Sequence, residues 1–243
     1  MSRRSERSER RLFLADGPKA VEGALGVPGC VVEVFATAAG AALVPAGVEV
    51  TPVDDRALAS LSDSVTPAGV VALCRFVDRP LAHLLDPTPR LVAVCADVRD
   101  PGNAGTVVRT ADAAGADAVV LAGSSVDLYN PKTLRAAVGS AFHLPVAVEP
   151  DPADVVRRLQ AAGLTVLATA GDGEVSLHDP ALGEVLAGPT AWLFGNEAHG
   201  LPDDLAALAD HRVAIPIHGR AESLNLATAA ALCLYESART RRV

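Results

Sequence analysis

Three short stretches of this 243-residue chain gather side chains that can do chemistry. The first, DVRDPGNAGTVVRTADAAG at 97–115, turns tightly at Asp100-Pro101-Gly102. Asn103 is then placed to cap a helix, leaving amide N–H groups open to an anion or polar ligand. Arg109 falls six residues later, a turn and a half along, in the N-terminal half of that helix. Taken alone, a capped helix carrying a surface arginine explains this stretch as well. The second, FGNEAHGL at 194–201, crowds Asn196, Glu197 and His199 between Gly195 and Gly200. Gly195 permits close backbone approach to a ligand, and an ordinary turn needs one glycine and one cap rather than this set. The third, IPIHGRAESLNLATAAALCLYE at 215–236, puts Ser223 and Asn225 at the start of a helix whose Ala227, Ala230 and Ala231 allow close packing. Capping alone accounts for that hydroxyl and amide equally well. Three such loops at one sheet edge would make a ligand cleft.

The elements that must position them follow from the apolar pattern. Short apolar runs at 91–96, 118–121, 144–148, 164–168, 191–194 and 213–217 read as strands. Helical stretches at 104–114, 132–142, 153–162 and 203–209 lie between most of them, and 224–239 closes the chain. Continuous apolar strands separated by helices predict an α/β fold with a mostly parallel sheet covered on both faces. Such sheets bind ligands beyond the carboxyl ends of their strands, where the three stretches sit. Upstream, a strand at 12–15, a helix at 19–25, a strand at 31–36, a helix at 55–61 and a β-rich run at 69–76 predict a smaller α/β unit. The proline-rich DPTPR at 86–90 marks the boundary, giving a small domain over 1–86 and a larger one over 91–243.

Composition bounds the partners. Half the residues are hydrophobic and 21% are charged, as in an ordered protein, and aromatics at 3% leave the core to Val, Leu and Ala. The start MSRRSERSERR has no apolar run behind it, so no signal peptide or membrane span is expected and the setting reads as cytoplasmic. Cys30, Cys74, Cys95 and Cys233 are far apart in apolar runs and read as buried thiols rather than disulfide or metal ligands. The net charge of −8 weighs against nucleic acid. However, five arginines (3, 4, 7, 10, 11) begin the chain and three (239, 241, 242) end it. These ends read either as solvated tails or as local grips on RNA.

Together, NAGTVVRTADAAGA (103–116), FGNEAHGL and IPIHGRAESLNLATAAALCLYE resemble the three signature motifs of the SpoU–TrmH branch of SPOUT RNA methyltransferases, in order, spacing and attachment to strands. DLYNPKTLRAAVGSAFHLPV at 127–146 is similar to the family as well. FLADGPKAVEGAL and LSDSVTPAGVVAL more weakly resemble the small substrate-binding domain, of ribosomal-protein-like fold, that precedes the catalytic domain in many members.

The resemblance implies a C-terminal trefoil knot, S-adenosylmethionine as cofactor, transfer to a ribose 2′-hydroxyl of RNA, and a homodimer with the last helix at its interface. It implies cofactor contacts at Thr169, Ala170, Gly195, Asn196, Gly200, Ile215, Ile217, Ser223 and Leu224. Arg109 matches the arginine at the 2′-hydroxyl. A guanidinium with a pKa above ~12 stays charged, so this side chain would anchor phosphate and stabilise developing alkoxide. The proton would pass to an RNA phosphate oxygen, Glu197 or water. Asn103, Ser223 and Asn225 match positions that orient the arginine, substrate and cofactor loops. Ribosomal RNA of the large subunit is favoured over transfer RNA, and no metal is expected.

Two other readings compete. A nucleotide-dependent oxidoreductase would need a G-x-G-x-x-G turn that the chain lacks. A non-catalytic RNA-binding protein would not need all three motifs intact.

Overall fold

The computed structural model describes residues 3–241; Arg242, one of the three tail arginines, lies outside them. The chain begins with a helix, α1 (Arg4–Arg10), followed by β1 (Leu12–Asp16), α2 (Pro18–Leu25), β2 (Val31–Ala36), β3 (Thr51–Pro52), α3 (Asp55–Leu61) and β4 (Val70–Arg75). The four strands form one sheet in the order β1-β4-β2-β3, antiparallel except for β2 with β3. A short helix, α4 (Leu81–Leu84), leads into the irregular 86–90 segment.

The second sheet takes β5 (Leu91–Ala96), β6 (Ala118–Ala122), β7 (Val146–Glu149), β8 (Thr165–Thr169), β9 (Val175–Ser176), β10 (Thr190–Phe194) and β11 (His211–Ala214). Its order is β7-β6-β5-β10-β8-β11-β9 and its recorded pairings are all parallel. Helices α5 (Pro101–Ala113), α6 (Pro131–Ala137), α7 (Ser140–His143), α8 (Pro152–Ala161), α9 (Leu182–Ala187), α10 (Asp203–Ala206) and α11 (Leu226–Arg241) connect and cover it.

Burial explains the continuous apolar runs. In β5, Leu91, Ala93 and Cys95 join one core with α5, α9, α11 and the four-stranded sheet. Val92, Val94 and Ala96 join another with α4, α8 and α10. Both faces are therefore dry, and no alternation of polar residues survives. The four cysteines are buried free thiols. The single tryptophan, Trp192 on β10, is fully buried and donates its indole N–H to Ser237 of α11 at 2.8 Å. One turn further on, Arg241 fastens the end of α11, donating to the carbonyls of Leu186 (3.2 Å), Gly188 (3.0 Å) and Arg90 and to the Thr190 hydroxyl.

Four expectations need correction. The charged start is a helix, and its Arg7 is buried against Asp127 at 2.6 Å, so this arginine serves the fold rather than a solvated tail. The expected helix over 132–142 is two helices, because Val138 (φ 50°) and Gly139 (φ 92°) turn left-handed between them. The last strand runs 211–214 rather than 213–217, leaving Ile215, Pro216 and Ile217 in a loop. The closing helix starts two residues late, behind Asn225, whose Oδ1 accepts from the N–H groups of Ala227 (2.9 Å) and Thr228 (3.3 Å).

The two sheets share a tight junction. Tyr129, after β6, stacks on Phe76 with centroids 3.7 Å apart. Its hydroxyl donates to Asp78 at 2.6 Å and accepts from the N–H groups of Val77 and Asp78.

Candidate functional site

Strand order decides where the loops converge. From β5 the chain winds outward through β6 to β7, then returns beyond β10 to build β8, β9 and β11. Between β5 and β10 the winding reverses, and open parallel sheets form crevices at such points. The loops at 97–100 and 195–200 leave the carboxyl ends of these two strands and line one cleft of about 900 Å³ with Asp97, Arg99, Asp100, Asn196, Glu197 and His199.

A chain of hydrogen bonds joins all three polar stretches at its edge. The Glu197 carboxylate accepts from the N–H groups of Arg99 (3.2 Å) and Asp100 (3.1 Å) and from Asn103 Nδ2 (3.2 Å). Asn103 Oδ1 accepts in turn from Asn225 Nδ2 at 3.0 Å. Partial burial pushes the Glu197 carboxyl up, but these donors together outweigh it and hold the group below the usual carboxylate range. Beneath it, burial and then the Glu197 charge push the Cys95 thiol up to about 12, so Cys95 is no nucleophile.

Asn103 does not cap α5. Asp100 does, accepting from the Asn103 N–H at 2.7 Å with Pro101 at the first helical position. The Asp-Pro pair carries that signal, since proline is favoured just inside a helix start. Asn103 is thereby freed to bridge Glu197 and Asn225. Arg109 is the ninth of the helix's thirteen residues, past its midpoint rather than in its N-terminal half. It is exposed and makes no hydrogen bond or ion pair among the described residues.

A second cavity, of about 150 Å³, lies beyond β8 and β11. Thr169, Ala170, Ile215, Ile217, Ser223 and Leu224 are in its wall, all six of them expected from the sequence. Gly171, Glu222 and Ala229 also line it and were not expected. Ile217 and Leu224 are 39% and 37% exposed, leaving an apolar surface turned to solvent. Ser223 caps nothing: it has no hydrogen bond among the described residues.

The other expected cofactor residues sit elsewhere. Asn196 and Gly200 line the larger cleft and pair with each other through their backbones. Gly195 is buried, and a Cβ there would come within 2.3 Å of the Gly200 carbonyl carbon. Its close approach is thus to its own turn rather than to a ligand. Asp97, which the sequence reading passed over, holds this turn in place: its carbonyl accepts from Asn196 Nδ2 at 2.8 Å and its carboxylate from the Ser124 N–H at 2.7 Å. Among the described residues no group of three His, Cys, Asp or Glu could hold a metal.

The profile of the SpoU rRNA methylase family matches residues 90–235, which hold all of these loops. The chain belongs to this family. Among SpoU relatives, the 23S rRNA (guanosine(2553)-2′-O)-methyltransferase RlmP of Bacillus subtilis is 36% identical over 236 residues, covering 96% of this chain and 90% of that one. The SpoU methyltransferase AviRb from Streptomyces viridochromogenes, solved with AdoMet, superposes with a TM-score of 0.83 at 30% identity, over 99% of this chain and 94% of that one. An AdoMet-bound rRNA methyltransferase from Sinorhizobium meliloti gives 0.83 at 34% identity, over 98% and 91%.

Proposed function

We propose that the protein methylates a ribose 2′-hydroxyl of 23S ribosomal RNA, taking the methyl group from S-adenosylmethionine. The carrying observation is that one hydrogen-bonded chain, Glu197–Asn103–Asn225, ties the α5 start to the larger cleft and to the residue that follows Ser223 and Leu224 of the smaller cavity's wall. The names of the similar proteins above agree with this reading.

The smaller cavity, at about 150 Å³, has room for one end of the cofactor rather than all of it. Its apolar wall of Ile215, Ile217 and Leu224 suits a purine ring, while Ser223 and the exposed loop backbone leave polar atoms free to bond. When bound there, S-adenosylmethionine supplies a methyl group on a positively charged sulfur. A C–O bond forms at the 2′-oxygen as the C–S bond breaks, and the hydroxyl proton must leave. Arg109, a guanidinium without a partner among the described residues, holds an RNA phosphate and stabilises the developing negative oxygen. Glu197 is a positioning residue: its depressed pKa and three accepted hydrogen bonds make it a poor base. The proton therefore passes to an RNA phosphate oxygen or to water.

In this reading residues 91–243 are catalytic and residues 1–86 bind the substrate. We read the last strands as a trefoil knot. In support, a Cβ on Gly173 would come within 2.8 Å of the backbone of Arg212 and Ala214, so the 171–174 loop lies directly against β11. A cytoplasmic setting accords with a ribosomal substrate, and no helix among the described residues is long and apolar enough to cross a membrane.

Calorimetric titration with S-adenosylmethionine tests the reading, run beside Ala229→Phe, which fills the smaller cavity from a helix. Binding by the native protein, its loss in the variant and methylation of 23S rRNA are expected. RNA binding without any cofactor binding would favour the non-catalytic alternative.

A further inference from the structure

A third cavity, of about 400 Å³, lies away from the catalytic loops, where the four-stranded sheet meets the segment entering α6. Its floor is apolar: Leu14 of β1, Leu73 of β4 and Phe35 of β2, with Tyr129 and Pro131 from the larger sheet's side. Leu14 and Leu73 are directly paired across the strands, and both they and Phe35 are only half-buried. Three large apolar side chains are therefore held at a surface that the fold leaves partly uncovered.

The rim is polar. Ser60, Ser62, Asp16 and Asp63 line it. Ser62 donates to Asp16 at 2.7 Å, leaving the other Asp16 oxygen and the Asp63 carboxylate without recorded hydrogen bonds. Arg135 of α6 faces both acids, but at 3.8 Å and 3.7 Å, beyond hydrogen-bond distance. One of its guanidinium nitrogens is buried with no hydrogen-bond partner among the described residues. The other nitrogen lies 3.7 Å from Asp63 on a side chain that is 34% exposed, so a polar group at the rim can reach it. The cavity also includes Arg7, the buried anchor of α1, whose Arg3, Arg4 and Arg10 neighbours are exposed. A helix of this length spans about 10 Å, so those cations lie within about one turn of Arg7 in a chain whose net charge is −8.

An apolar floor with the half-buried ring of Phe35, carboxylate acceptors on the rim and cations outside match the way proteins take an unstacked RNA base, by stacking and by hydrogen bonds to its edge. The geometry points to this cavity as a docking site for one unpaired nucleobase bearing an exocyclic amino group, its flanking phosphates held by the α1 arginines. The inference rests on RNA being the substrate and names where the small sheet reads it. The amino group donates to Asp63 or Asp16, and the adjacent ring nitrogen accepts from the Arg135 nitrogen that lies beside Asp63. Cytosine meets both demands. Uracil presents a carbonyl where the amine should be.

The test uses the full-length protein and fluorescently labelled hexamers of cytidine and uridine, two bases that stack comparably weakly, read by polarisation. The native protein is expected to bind the cytidine hexamer about tenfold more tightly, as a good base-edge contact discriminates. Asp63→Asn should bring the ratio towards one. Ser60→Trp, which plugs the cavity from an exposed helix position, should weaken both hexamers at least as far. Equal affinities in the native protein, no binding of either hexamer, or full cytidine binding by Ser60→Trp would overturn the inference. Titration of S-adenosylmethionine into the same preparations should be unchanged in both variants. That readout judges the catalytic reading separately, since cofactor binding without base discrimination sinks only the docking site.

Discussion

The Glu197 carboxylate accepts three hydrogen bonds, two from backbone N–H groups and one from Asn103. Replacing it with Gln should cost about 1 kcal/mol, the worth of charge-assisted hydrogen bonds discounted for exposure, and lower Tm by about 2–4 °C. The sign of the pH dependence follows from its depressed pKa. The charged form adds stability above the ordinary value of 4.5, and that stability is lost as pH falls through the lowered folded value. The difference in Tm between native protein and Glu197→Gln should thus be full at pH 7 and close below pH 4.5. Arg109 behaves differently, because no partner holds it among the described residues. Arg109→Ala should leave Tm unchanged and cut single-turnover methylation about 10²-fold, the scale of losing one donor to a developing oxyanion. Arg109→Lys should recover only part, since the planar fork is gone. Much at this scale could be read from residue types: Asn103, Glu197 and Asn225 do meet. What the sequence concealed was which of them bond to each other. Asn103 looked like a cap because the Asp100 carboxylate that does the capping was taken only as a turn residue.

Helix α5 carries both Asn103 and Arg109, and its placement depends on one glycine. A Cβ on Gly105 would sit 2.3 Å from the Thr133 carbonyl oxygen of α6 and 2.7 Å from the Ala136 side chain. Ala normally gains about 1 kcal/mol over Gly inside a helix, but overpacking against a neighbouring helix backbone costs up to about 3 kcal/mol. Gly105→Ala should therefore destabilise the protein by about 2 kcal/mol, measured as a lower urea midpoint at unchanged slope. Gly195→Ala should act on activity more selectively. Forcing open the 195–200 turn would draw Glu197 from Asn103, so turnover should fall while S-adenosylmethionine still binds. The central strands were legible because both their faces are buried and their apolar runs are unbroken. Helix α1 was not, since RSERSER shows only charge, and its one buried residue, Arg7, bonds to Asp127 across 120 residues of sequence. The break between α6 and α7 was equally hidden, because a valine at φ 50° is a conformation the residue type argues against.

At the scale of the whole molecule, the buried Arg7–Asp127 pair and the Tyr129 junction hold the two sheets as one piece. Removing one member of a buried ion pair strands the other, at about 3–5 kcal/mol. Asp127→Ala should thus lower Tm by about 6–20 °C at that cost and loosen RNA binding more than cofactor binding. Leu232 and Tyr235 on α11 are 44% and 53% exposed, an apolar stripe that suits the homodimer the family resemblance implies. Light scattering should give twice the monomer mass for the native protein and the monomer mass for Leu232→Glu/Tyr235→Glu. The position of Trp192 has a practical consequence. As the chain's one indole, dry and hydrogen-bonded to Ser237, it gives the molecule a single-colour optical gauge of whether α11 is seated. Emission that shifts to longer wavelength during unfolding would time the undocking of that helix, and a stopped-flow trace would show when the chain's end closes over the loops it completes.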